Sequence, residues 1–198
     1  MASSPFIIVG LGNPGAEYAQ TRHNAGFWFL DRLAGTEPFK AQKKLHGLTA
    51  GISMNGQPLL LCKPDTFMNR SGQCVRALLD WYKLSTEDCA ERLLVVHDEL
   101  DLPPGVARLK LGGGHGGHNG LRSIGQHLGS NHWLRLRIGV GHPGMAAQVT
   151  GWLIHQRIPA GERAALDNAF DQAEQVLPLL LDGNLAQAMN RLHSSATA

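Results

Sequence analysis

The sequence predicts an α/β fold: a single domain with a twisted, mostly parallel (mixed) central sheet flanked by helices. Three observations carry this. Short apolar runs of strand length alternate with stretches of helical spacing along most of the chain. One run, Leu93-Leu94-Val95-Val96-His97, is apolar without alternation, as expected of a strand buried on both faces. Finally, 198 residues with 43% hydrophobic and 17% charged side chains suit one packed core, so residues 1–198 are read as one domain.

The elements follow in order. Phe6-Ile7-Ile8-Val9 is a strand that stops at a glycine turn, Gly10-Leu11-Gly12-Asn13-Pro14-Gly15. Phe27, Leu30 and Leu33 give a helix from Asn24 to Ala34. Strands at Leu48–Met54 and Gln57–Lys63 flank Asn55-Gly56, a two-residue hairpin signal. Ser71 is a suitable N-cap for a helix carrying Val75, Leu78, Leu79 and Tyr82 on one face. The strand Leu93–His97 runs into Asp98-Glu99. Val106–Lys110 and Leu134–Val140 read as further strands, with a glycine-rich loop and a helix bearing Leu121, Ile124 and Leu128 between them. Gly161–Leu192 is helical with a break at Asp182-Gly183-Asn184, and the small polar residues from Ser194 to Ala198 read as a frayed tail. Sites in such sheets form beyond the carboxyl ends of strands, so the loops after Val9, His97 and Lys110 are expected to meet.

The first loop is the most informative. Gly10, Gly12 and Gly15 fit G-x-G-x-x-G, and Asp31 lies where a ribose-binding acid would stand. A dinucleotide site needs a helix opening inside the glycine run, with its N-terminus on the pyrophosphate. Pro14-Gly15-Ala16-Glu17-Tyr18 has no apolar helical period, which argues against that reading. The loop instead brings an amide (Asn13), a phenol (Tyr18) and an imidazole (His23) into one stretch. That is a set for recognition plus proton transfer.

Composition excludes several classes. No apolar run approaches a membrane span, and Met1–Pro5 is too short and uncharged for a signal peptide. Cys62, Cys74 and Cys89 lack CxxC spacing and read as reduced, packed thiols of a cytoplasmic protein. Net charge is +2, too mild to announce nucleic-acid binding. Charge is nevertheless uneven: Val106 to Val140 holds Arg108, Lys110, Arg122, Arg135 and Arg137 with no Asp or Glu, whereas Glu162–Asp182 is acidic. Alone, such a block reads as a solvated face.

Five segments stand out: GLGNPG…Y…TRHNAG, KPDTFMNRSG, HDELDLPPG, KLGGGHGGHNGLRSI and RLRIGVG. Together they resemble bacterial peptidyl-tRNA hydrolases, in matching order from Phe6 to Gly144 and more weakly through the C-terminal helices. The resemblance implies a cofactor-free, monomeric, cytoplasmic esterase with no membrane or protein partner. Its substrate would be peptidyl-tRNA, cleaved at the ester between the peptide and the terminal ribose of tRNA. It implies His23 as the base that activates water and Asp98 as the carboxylate that orients it. Such a base contributes roughly 10²–10⁴-fold. No G-x-S-x-G nucleophile motif is present.

By the same resemblance, Asn13 reads the substituted amine of the peptide part. Asn69 and Asn119 position the substrate and water and polarise the carbonyl. Tyr18 and Phe67 line the pocket for the tRNA end, where rings can stack on bases; Phe67 also admits a core reading. Lys110 and Arg137 match a pair that clamps a tRNA phosphate away from the chemistry, a contact that positions without reading sequence. His115 and His118 frame Gly116-Gly117, but no third ligand is marked, so no metal site is read there. His118 reads instead as a residue supporting or gating the site on a mobile glycine loop. Residues 149–157 depart from the family pattern, which bears on the lid beside the substrate and leaves the catalytic set intact. The rival function is a non-catalytic RNA-binding relative, which the absence of His23 or Asp98 would have favoured.

Overall fold

The apolar run at the N-terminus forms β1 (Phe6–Gly10), buried at every position and central to a seven-stranded sheet. The computed structural model describes residues 4–195. After β1 come α1 (Ala25–Ala34), β2 (Lys40–Gln42), β3 (Gly47–Met54), β4 (Gln57–Pro64) and α2 (Ser71–Tyr82). A short α3 (Cys89–Arg92) leads into β5 (Leu93–Glu99), then β6 (Ala107–Leu111), α4 (Asn119–Leu128) and β7 (Leu134–Gly139). The chain ends with α5 (Ala160–Leu181) and α6 (Leu185–Ser195).

The strand order is β2-β3-β4-β1-β5-β7-β6. The central four strands, β4, β1, β5 and β7, are parallel, and antiparallel pairs form both margins. The sheet is thus mixed, with its parallel part in the middle, where both faces are covered. On one face Phe29, Leu30, Phe170, Leu177 and Leu192 pack on Ile8, Val96 and Leu136 from α1, α5 and α6. On the other, Val75, Leu79, Leu121 and Ile124 from α2 and α4 pack on Ile7, Val9 and Val95. Among the described residues no helix is long and apolar enough to cross a membrane.

The first glycines serve packing. A Cβ on Gly10 would lie 2.4 Å from the Gly26 carbonyl oxygen, and one on Gly26 would lie 2.5 Å from both Leu11 N and Val96 O. Two missing side chains let α1 sit directly on β1 and β5. Because α1 begins only at Ala25, its N-terminus does not open inside the glycine run.

The structure corrects several expectations. Ser71 is the first residue of α2 rather than its cap; Arg70 holds that place, and the Ser71 hydroxyl donates to the Met68 carbonyl at 2.8 Å. β5 is two residues longer than predicted and includes Asp98, which is buried. The loop after Lys110 does not start beside the other two. β6 runs antiparallel to β7, so Leu111 ends at the opposite edge, and the glycine-rich segment must climb the sheet to join them. Of the tail read from sequence as frayed, Ser194 and Ser195 lie in the last turn of α6, with hydroxyls donating to the Asn190 and Arg191 carbonyls, and residues 196–198 lie outside the described residues. The three cysteines are free and buried, as expected of packed thiols. The turn at residues 182–184 separates α5 and α6 where Gly183 takes φ +80°.

Candidate active site

The carboxyl ends of β1, β4 and β5 open on a cavity of about 620 Å³. Its lining includes Asn13, Tyr18, His23, Phe67, Asn69, Asp98, His118 and Asn119. Eight of the ten residues singled out by sequence therefore meet in one place. Lys110 and Arg137 do not line it.

At its floor, His23 Nδ1 lies 2.9 Å from both oxygens of Asp98, and both side chains are buried. A carboxylate can only accept here, so Nδ1 carries the proton and Nε2 is left with its lone pair. Burial lowers the His23 pKa, but the Asp98 charge and hydrogen bond outweigh it and the net shift is upward. For Asp98, burial pushes upward, and the two imidazoles His23 and His118 more than reverse this, leaving a strongly acidic carboxyl.

His118 supplies the other half of that field. Its Nε2 lies 2.8 Å from Asp98, while Nδ1 accepts from the Gly120 and Leu121 amides at 3.1 and 3.4 Å. The ring is at once the N-cap of α4 and a donor to Asp98, which fixes its Nε2–H tautomer. His23, Asp98 and His118 place their donor atoms within 4.8 Å of one another, a spacing that could also suit a cation. Hydrogen bonding already accounts for the arrangement, since both imidazole protons point at the carboxylate.

Asn13 is locked into a defined amide orientation. Met68 N donates to its Oδ1 at 2.7 Å, and a backbone amide can only donate, so Nδ2 is the end left for the cavity. The backbone of Asn13 is held by Asn24, whose Oδ1 accepts from Asn13 N at 2.9 Å and whose Nδ2 donates to Asn13 O at 3.0 Å. Tyr18 and Phe67 meet edge to face, with ring centroids 6.4 Å apart. Phe67 is 56% exposed, which excludes the core reading. Asn69 and Asn119 are exposed at the cavity wall, and Asn119 Oδ1 accepts from Arg122 at 3.2 Å.

The far wall comes from residues 146–154, including one turn of π-helix at Gly151–His155. It is tied to the His23 loop by Arg22. That buried guanidinium lies 3.4 Å from the Trp152 ring centroid and donates to Glu162 and to the Trp152 carbonyl. The atypical stretch 149–157 thus flanks the cavity without adding to the His23–Asp98 pair.

Lys110 and Arg137 stand on one sheet face with Arg108 and Arg135, because Lys110 is in register with Arg135 and Arg108 with Arg137. Lys110 is exposed. Arg137 donates to Glu99 at 3.0 Å, and Glu99 is a cavity residue. Sequence reasoning missed Asn24, Arg22, Arg135 and His97. His97 is buried beside Asp98: its Nδ1 donates to the Asp98 carbonyl at 2.9 Å, its Nε2 has no partner among the described residues, and burial lowers its pKa to about 3. Only Asn24 carried a signal, as the residue next to His23 in a polar run.

Known proteins similar to this chain in sequence fall in one family. The family model described as peptidyl-tRNA hydrolase matches residues 7–198. A peptidyl-tRNA hydrolase of Marinobacter nauticus is 52% identical over 196 residues, 98% of this chain and 97% of that one. One from Yersinia enterocolitica is 50% identical, over 97% of this chain and 96% of that one. Among solved structures, peptidyl-tRNA hydrolase from Acinetobacter baumannii superposes with TM-score 0.88 at 46% identity, covering 97% of this chain and 96% of that chain. By fold and by sequence over nearly its whole length, this chain belongs to the peptidyl-tRNA hydrolase family.

Proposed function

We propose that this protein hydrolyses peptidyl-tRNA at the ester between the peptide and the terminal ribose. The observation that carries the proposal is the buried His23–Asp98 pair, whose free Nε2 opens on a cavity edged by three asparagines. His23 Nε2 takes a proton from water as its oxygen bonds to the ester carbonyl carbon. The tetrahedral intermediate then expels the ribose oxygen, which receives the proton from His23. The products are a peptide acid and tRNA with a free hydroxyl. Asp98 holds the tautomer and stabilises the imidazolium that forms between these steps. Asn69 and Asn119 supply neutral amide donors for the carbonyl oxygen.

Asn13 gives the reaction its selectivity. Since its Oδ1 is committed to Met68 N, the substrate meets the Nδ2 donor. A peptide carbonyl oxygen can accept from that donor, whereas the ammonium of a free aminoacyl ester offers only donors. Tyr18 and Phe67 face the tRNA end, and Lys110 with Arg137 holds a phosphate outside the cavity. We further propose that the protein works as a single-domain monomer in the cytoplasm, where its substrate arises; sedimentation at working concentration tests the monomer. The reaction is tested with N-acetyl-aminoacyl-tRNA and its unblocked counterpart. Release of tRNA from the blocked ester alone is expected. Equal turnover of both contradicts the selectivity, and turnover of neither favours a non-catalytic RNA-binding protein.

A further inference from the structure

The segment between β6 and α4 has a problem of direction. Gly112 lies at the edge opposite the cavity, with its N–H on the Trp133 carbonyl at 2.9 Å. His118 reaches Asp98, which is level with Ile138 of β7. In between, the chain climbs one face of the sheet by about 17 Å, the rise of five strand residues. Its own hydrogen bonds are short-range: Gly117 N to His115 Nδ1 at 3.0 Å and His118 N to His115 O at 2.8 Å.

Arg135 stands on that face partway along the climb. It is 2% exposed, with Nη1 donating to Gly114 O at 2.6 Å and Nη2 to Gly113 O at 2.5 Å. The guanidinium lies 4.9 Å from the Trp133 ring centroid. Lys110 flanks the same spot: a Cβ on Gly113 would lie 2.7 Å from its Cε and Nζ, and Gly113 holds φ +102°. Both Nη atoms of Arg135 are thus committed to backbone, unlike the ammonium of exposed Lys110.

We propose that Arg135 is a positioning residue, whose two-pronged grip on Gly113 and Gly114 sets the height at which His118 meets Asp98 and Asn119 enters the cavity wall. Arginine suits the task because its planar fork presents two parallel donors at fixed spacing, which a lysine cannot. The basic block is then divided: Arg135 serves the loop, and exposed Lys110 beside it is left to face a phosphate. The inference rests on the esterase reading for its kinetic consequence, but not for its structural one.

The test compares wild type, Arg135→Lys and Arg135→Gln on a blocked aminoacyl ester of adenosine, which has no distal phosphate, and on blocked aminoacyl-tRNA. Deuterium uptake is read without substrate. On the short ester kcat is expected to fall about 10- to 100-fold, the scale of an ångström-level misplacement. Lysine should not rescue it despite keeping the charge. Uptake should rise across residues 112–119 and stay unchanged in β5. If Arg135→Lys does not fold, the neutral Arg135→Gln must show the same pattern. Unchanged uptake with unchanged kcat on the short ester overturns the proposal, as does a rise in KM confined to whole tRNA, which would mark Arg135 as a phosphate ligand. A wild type that cleaves neither ester overturns the reaction instead, and the uptake result then decides the role of Arg135.

Discussion

The Nδ1 hydrogen of His23 lies between the two oxygens of Asp98, 2.9 Å from each, in a buried pair. Burial alone would make His23 a weaker base, and the Asp98 charge turns the balance the other way. As a base, His23 works only unprotonated. The acid limb of kcat/KM should therefore lie above pH 6.5. In Asp98→Asn the burial remains and the charge is gone, so the limb should move below 6.5 while the plateau falls. Stability should move the other way. The raised pKa makes the His23–Asp98 pairing stabilising below pH 6.5, and that contribution disappears as pH rises through the folded value. A pH–rate profile of the two enzymes checks the first claim; an acid limb that stays in place in Asp98→Asn contradicts it.

His97 has the opposite sign. Its pKa is about 3 when folded and about 6.5 when unfolded, so the unfolded chain binds the extra proton between those values. Its contribution to stability is full above pH 6.5 and declines as pH falls towards 3. His97→Phe removes that proton and the unpartnered Nε2 together. Denaturant midpoints measured from pH 7 to pH 4 should fall less steeply in the variant. Parallel curves would mean that His97 does not carry this dependence.

Asn13→Asp should keep the bond from Met68 N and turn an acceptor towards the substrate in place of Nδ2. An ammonium gains a partner and a peptide carbonyl loses one. The preference for blocked over free aminoacyl-tRNA should shrink roughly 10- to 100-fold, the worth of one charge-assisted hydrogen bond. An unchanged ratio of kcat/KM values would assign selectivity elsewhere.

Lys110→Ala with Arg137→Ala should raise KM for whole tRNA and leave kcat nearly unchanged. The slope of log affinity against log salt should fall by about one for each phosphate that is no longer held. The adenosine ester should be cleaved as before. Equal impairment on both substrates would mean that the pair supports the cavity, for example through the hydrogen bond from Arg137 to Glu99.

How much of this was legible follows from what each residue depends on. β5 announced itself because a strand buried on both faces is apolar without alternation, and the family resemblance picked out Asp98 near its end. β2 did not, since its three residues are exposed and lack a period. Strand direction left no trace in β6, whose pattern is the same either way. The route of the glycine segment was hidden for that reason, and Arg135 with it. Within the site, His23 and Asn13 were visible as chemistry in the first loop, and Asp98 through the resemblance. Asn24 and Arg22 were not, because they act on a backbone amide and on Trp152, partners defined only by the fold. His118 was seen as a loop histidine; its bond to Asp98 needed the segment to climb the sheet.

The central claim is that His23 activates water against the ester of peptidyl-tRNA. The most direct measurement is single-turnover release of tRNA from N-acetyl-aminoacyl-tRNA by wild type and His23→Ala, with tRNA binding measured on the same preparations. Hydrolysis should fall by about 10²–10⁴-fold, the span of one general base, with binding held within a few-fold of wild type. Wild-type turnover by His23→Ala, or a fall in turnover matched by an equal fall in binding, would contradict it.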